Sequence, residues 1–223
     1  MIRQIPNLMT SFNLITGCVG IYFTLSGHKI EALYFVLIAA FFDVLDGLLA
    51  RSFNAKSEIG GQLDSLADLV SFGVLPAFYI LDLLKEQTSF FWAGILIVLF
   101  SAYRLAKFNV DASQTGHFSG LPTPANAIMI TSLFLLPLKL TVSFLLFITF
   151  LSCFLLVSPV RLLALKFKNY GWTGNESRWI LMIGTIIFSL IFRWAFVPFI
   201  VPFYIIVSMA SLLAFKITRV RLK

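Results

Sequence analysis

Cysteine, histidine and charge are all scarce in this chain, and each scarcity excludes something. The two cysteines, Cys18 and Cys153, both fall in apolar stretches, so neither a disulfide framework nor a structural zinc site is supported. Histidine also occurs only twice, as His28 and as His117, the latter alone in a polar loop with no catalytic role assigned to it. Charged residues make up 12% of the chain, about half the share found in soluble domains. An ordinary soluble domain is therefore excluded. There is no tandem repeat and no low-complexity tail. The first apolar stretch lacks a small-residue cleavage site, which predicts a retained span and not a signal peptide.

What is abundant is apolar. Hydrophobic residues are 59% of the chain, phenylalanine alone occurs 25 times, and mean hydropathy is +0.94. The fold class that follows is all-α, a polytopic integral membrane helix bundle forming a single membrane-embedded domain over residues 1–223. Spans are predicted near 8–26, 31–52, 62–84, 89–108, 124–138, 140–158, 177–193 and 195–216, about eight in all. Turn residues mark the divisions: Ser26-Gly27, the stretch Asn54 to Gly61, and Pro137 with Lys139. The longest polar loops are 109–123 and 166–178.

The distribution of lysine and arginine predicts the orientation. With the N-terminus in the cytoplasm, the inside carries Arg3, Arg51, Lys56, Arg104, Lys107, Arg161, Lys166, Lys168, Arg178, Lys216, Arg219, Arg221 and Lys223. Only Lys29, Lys85, Lys139 and Arg193 remain outside. The positive-inside rule then puts both termini in the cytoplasm of a multi-pass protein of the cell (inner) membrane. It also accounts for the net charge of +7 through contact with anionic lipid, so no nucleic-acid partner is implied.

Against this apolar background one acidic run stands out: DVLDGLLARSFNAKSEIGGQLDSLAD, residues 43–68. Asp43, Asp46, Gly47 and Ala50 share one face of the second helix. Asp64 and Asp68, four residues apart, share a face of the third. The two helices are predicted to be antiparallel neighbours, the third starting at the Gly60-Gly61 turn. Unpaired acids inside a membrane cost roughly 2.5–3.5 kcal/mol each, so four come to about 10–14. Whole domains are stable by only about 5–15 kcal/mol, and Arg51 with Lys56 cannot neutralise all four. Divalent cations can. Oxygen ligands without cysteine or histidine suit Mg²⁺ or Mn²⁺. Four carboxylates on two helices suit a two-metal site, with ions about 3.5–4 Å apart, as used in phosphoryl displacement.

These residues resemble a known family. The run reads D-x-x-D-G-x-x-A-R-x8-G-x3-D-x3-D at Asp43, Asp46, Gly47, Ala50, Arg51, Gly60, Asp64 and Asp68, which is similar to the signature of the CDP-alcohol phosphotransferases. The resemblance implies a six-helix core and the transfer of a phosphatidyl or similar group from a CDP-linked lipid to an alcohol, with release of CMP. It implies Asp43, Asp46, Asp64 and Asp68 as metal ligands, with Asp68 also the catalytic base for the acceptor hydroxyl. Gly47, Ala50, Arg51 and Gly60 would accommodate the cytidine diphosphate. The segment IPNLMTSFN, with Pro6, Asn7 and Thr10, is similar to the family's nucleotide-side N-terminal segment.

Two further stretches, YRLAKFNV at 103–110 and FSGLPTPANA at 118–127, resemble the bacterial and archaeal branch that uses serine. Lys107 stands where that branch usually has arginine, keeping charge but losing bidentate geometry. The substrates implied are CDP-diacylglycerol and L-serine. Arg104 would fork onto the serine carboxylate, with Lys107, Asn109 and Pro122 completing the acceptor pocket. A homodimer in the lipid bilayer is implied as well. The competing readings are a synthase of phosphatidylglycerophosphate or phosphatidylinositol phosphate, which would want a denser basic pocket, and a divalent-cation transporter. The transporter lacks a continuous acidic path, because Glu31, Asp82 and Glu86 lie near the outer ends. The resemblance is strongest over residues 1–127, and beyond that it rests on span count.

Overall fold

The computed structural model describes residues 4–53, 55, 57–110, 118–163, 171–172 and 175–221. Much of the two long polar loops, including His117, Lys166 and Lys168, lies outside these residues, as do Arg3, Asn54, Lys56 and Lys223. The described chain is a helix bundle: α1 (Ile5–Leu25), α2 (Lys29–Ser52), α3 (Glu58–Asp68), α4 (Leu75–Leu84), α5 (Ile95–Val110), α6 (Thr123–Thr131), α7 (Val142–Val157), α8 (Glu176–Phe192) and α9 (Val197–Arg221). Among the described residues, five helical stretches are long and apolar enough to cross a membrane, and the shorter apolar α7 accompanies them. The protein is an all-α polytopic membrane protein.

The first helix shows how such a sequence packs without a water-driven core. Its buried face is Pro6, Thr10, Asn13, Thr16, Gly17, Gly20 and Thr24. Its outer face carries exposed Leu8, Phe12, Ile15, Tyr22 and Leu25. Lipid is as apolar as leucine, so small and hydroxyl side chains go inward, where backbones approach closely. Hydroxyls that have no other partner return to the carbonyl four residues back, as Thr24 does to Gly20 at 2.9 Å. On this face α1 packs against both α2 and α3, while α2 and α3 lean mainly on α1 and not on each other.

Two of the predicted spans differ from the structure, each for a local reason. The third begins at Glu58, not at a Gly60-Gly61 turn. Ser57 is extended and its hydroxyl accepts a hydrogen bond from the Gly60 amide at 3.0 Å, capping the helix so that both glycines fall within its first turn. The fifth was predicted over 124–138, but α6 stops at Thr131 and a 3₁₀ turn (Leu133–Leu135) follows. Pro137 forces the residue before it out of the helical region, and Leu136 is indeed extended, with φ −69° and ψ 134°.

Between α3 and α4 the helix does not break. It widens into a π-helical segment, Leu69–Val74, that begins directly after Asp68. The long apolar stretch 176–212 turns back on itself at Arg193, whose φ is +51°. Phe188 on α8 stacks with Phe196, and Gly184 leaves the space that Phe203 of α9 fills. A two-residue antiparallel ladder, β1 (Phe118–Ser119) with β2 (Arg161–Leu162), ties the start of α6 to the end of α7. Gly120, with φ +80°, sits where any Cβ would come within 2.4 Å of the Leu156 carbonyl, so the chain crosses there as glycine.

Candidate active site

Three of the four aspartates converge. One carboxylate oxygen from each of Asp43, Asp64 and Asp68 lies within 4.8 Å of the others. Asp43 comes from the C-terminal half of α2, Asp64 and Asp68 from the last two turns of α3. Asp46 is buried and joins the group from the side. It accepts a hydrogen bond from the Thr10 hydroxyl at 2.6 Å. One oxygen of Asp64 is buried with no hydrogen-bond partner among the described residues. Facing carboxyls and an orphaned acid oxygen are what a hard cation would satisfy, because such ions take several oxygen ligands. The donor set fits Mg²⁺ or Mn²⁺.

Beside this cluster opens a pocket. Of the residues predicted to hold the CDP-lipid, Asn7, Thr10, Gly47, Ala50 and Gly60 line it, together with Asp46 and Asp64. A Cβ at Gly60 would lie 2.9 Å from both the Asn7 Oδ1 and the Ser57 Oγ, so that glycine lets α1 and the cap of α3 close together. Gly47 has the opposite surroundings: only the Arg51 guanidinium lies within 4 Å of its notional Cβ, at 3.6 Å. Its missing side chain is therefore open space on the pocket wall. Arg51 is exposed and does not line the pocket. Its Nε donates to the Gly47 carbonyl one turn back, at 2.8 Å. Pro6, Ala55, Ser57 and Gly61 complete the lining.

The four residues predicted for the acceptor are not brought together as a set. Arg104 and Lys107 line a second, small recess with Tyr103, Phe108, Leu156, Val157 and Ser158. Arg104 is partly buried, its Nη1 lies 3.4 Å from the Thr123 hydroxyl, and its Nε has no partner among the described residues. Asn109 points elsewhere: its amide donates to Ser65 Oγ on α3 at 2.9 Å. Pro122 caps α6 beside Thr123 and does not line the cavity.

Sequence reasoning missed Asn13. This fully buried residue of α1 donates from Nδ2 to Asp68 Oδ1 at 3.2 Å. Its signal was available, since an asparagine on a face of glycines and threonines inside a membrane needs a partner.

Comparison with known proteins finds relatives by sequence. A CDP-diacylglycerol–serine O-phosphatidyltransferase of Helicobacter pylori (strain 26695) is 32% identical over 207 residues, covering 84% of this chain and 81% of that protein. The enzyme of the same name from Mycobacterium leprae is 34% identical over 146 residues, covering 62% of this chain. The match spans about half of that longer relative, 49% of its length. An archaetidylserine synthase of Methanothermobacter thermautotrophicus is 36% identical over 135 residues, 59% of this chain and 58% of that one. The sequence from residue 3 to residue 191, which includes every aspartate of the cluster, matches the CDP-alcohol phosphatidyltransferase family, and the chain belongs to that family.

Proposed function

We propose that this protein is a phosphatidylserine synthase, transferring the phosphatidyl group of CDP-diacylglycerol to the hydroxyl of L-serine with release of CMP. The observation that carries the donor half is the pocket lined by Asn7, Thr10, Gly47, Ala50 and Gly60 against the acid cluster. The acceptor half is supported by the names of the relatives and by Arg104, a partly buried cation on α5 whose Nε has no partner among the described residues.

In this reading Asp43, Asp46, Asp64 and Asp68 would hold Mg²⁺ or Mn²⁺, which would supply charge neutralisation for the diphosphate and the departing CMP. The small residues of α2 and α3 let the diphosphate approach the backbone. Arg51, held against Gly47, keeps a cation beside it. Arg104 receives the serine carboxylate and so fixes where the serine hydroxyl points. Asp68 takes the hydroxyl proton as that oxygen attacks the lipid-side phosphorus. The bond from phosphorus to the CMP oxygen breaks, and CMP leaves with its phosphate. Ser57 lines the pocket, but its hydroxyl is engaged in capping α3, which favours a single displacement over a covalent intermediate. The site faces the cytoplasm of the cell membrane, and the working unit is a homodimer.

The test is CMP release measured with serine, glycerol 3-phosphate and inositol phosphate side by side, each with diacyl and ether CDP-lipid. Serine should be consumed and the other two ignored. Consumption of glycerol 3-phosphate without serine would leave the donor chemistry standing and remove the acceptor assignment. A preference for the ether donor would move the reading toward an archaetidylserine product.

A further inference from the structure

The connection between α1 and Asp68 has three links. Asn13 is fully buried, and its Nδ2 donates to Asp68 Oδ1 at 3.2 Å. The backbone carbonyl of the same residue accepts a hydrogen bond from Ser71 Oγ at 3.0 Å, and Ser71 belongs to the π-helical segment that starts directly after Asp68. Gly17, one turn further along α1, has no room for a side chain, because a Cβ there would meet Ser71 Oγ at 2.2 Å. Asn13 is thus held by its main chain to the segment that follows Asp68, while its side chain holds Asp68 itself.

That arrangement has more parts than packing requires. The Oδ1 of Asn13 is buried without a partner among the described residues, and a buried amide with one unsatisfied end is unfavourable compared with an apolar side chain of equal size. A π-helical turn is likewise a departure from the regular helix, of the kind concentrated at functional sites. Both irregularities meet at one carboxylate.

We infer that Asn13 is a positioning residue for Asp68: it pins one carboxylate oxygen, and Ser71 braces it from the π turn so that the carboxylate cannot rotate away from the acceptor hydroxyl. The inference rests on the reading of Asp68 as the base of the transfer. Asn13 touches neither substrate in this role and acts only through the aspartate. Its loss should therefore lower turnover while leaving the donor pocket intact.

The experiment is a double-mutant cycle of CMP release, with Asn13→Leu, Asp68→Asn and the pair, in the full-length protein in detergent–lipid micelles. Loss of a hydrogen bond to a charged group predicts a fall in kcat of roughly ten- to hundredfold for Asn13→Leu, with KM for the CDP-lipid changed less than about twofold. In the Asp68→Asn background the same change should lower the residual rate by less than about twofold, because the group it acts through is gone. An equal loss in both backgrounds would make Asn13 merely structural and overturn the inference. Should Asn13→Leu fail to fold, Ser71→Ala removes only the brace. It should reduce kcat about two- to fivefold in the wild-type background and not at all with Asp68→Asn, and an unchanged kcat there would also overturn the inference. A full wild-type rate for Asp68→Asn alone would instead refute the base assignment, whatever the Asn13 variants do.

Discussion

Gly47 and Gly60 are both glycines of the same motif, yet their surroundings predict different responses to substitution. At Gly60 a Cβ collides with Asn7 and Ser57 at 2.9 Å, so Gly60→Ala should disturb the α1–α3 contact and weaken the fold by about 1–3 kcal/mol. At Gly47 a Cβ fits, and a longer side chain would project into the pocket. Gly47→Leu should then raise KM for the CDP-lipid at least about tenfold, with little change in the thermal midpoint. A shared stability loss at both positions would refute this distinction. The carboxylates divide in the same way. Asp43→Asn and Asp64→Asn should weaken metal and CDP-lipid binding together, whereas Asp68→Asn should reduce turnover more than binding. For Arg104→Ala, the predicted change is a serine KM higher by roughly ten- to hundredfold at constant CDP-lipid KM. A fall in CDP-lipid affinity instead would assign Arg104 to the donor.

Among the elements, α1 is the one whose role was least legible. The acid spacing gave α2 and α3 as carriers of the motif, because an i, i+3 or i, i+4 repeat fixes a helical face. Nothing in that spacing says which third helix stands between two others, and here α1 fills that place, supplying Thr10 to Asp46 and Asn13 to Asp68. The lining of the pocket beside the acids was readable because it follows the motif itself. The acceptor side was not, since Asn109 and Arg104 are five residues apart on α5, and five residues rotate a helix by well over a full turn. Asn109 accordingly meets Ser65, while Arg104 faces the other cavity. Prolines misled in the opposite sense: Pro137 marked a boundary correctly, but its effect on Leu136 ends the regular helix well before it. The close approach of α1 to the π turn can be tested at element level. Gly17→Ala, whose Cβ would lie 2.2 Å from Ser71 Oγ, should lower the thermal midpoint by several degrees and reduce activity in parallel. An unaffected midpoint would mean that the two helices are not locked together there.

For the molecule as a whole, the acids account for the first requirement of activity. Chelation with EDTA should abolish CMP release, and Mg²⁺ or Mn²⁺ should restore it. Full turnover in chelated enzyme would end the metal-site reading. The two cavities have a kinetic consequence of their own. The one bordered by α1, α2 and α3 and the one bordered by α5 and α7 share no lining residue. On the proposed reading, serine reaches Arg104 from the α5–α7 side and the CDP-lipid reaches the acids from the α1–α3 side, so neither has to be in place before the other. Steady-state rates should fit a random-order sequential scheme, with intersecting double-reciprocal lines. Added CMP should compete with the nucleotide-linked lipid, yet at subsaturating lipid it should depress the rate at every serine concentration without being displaced by serine.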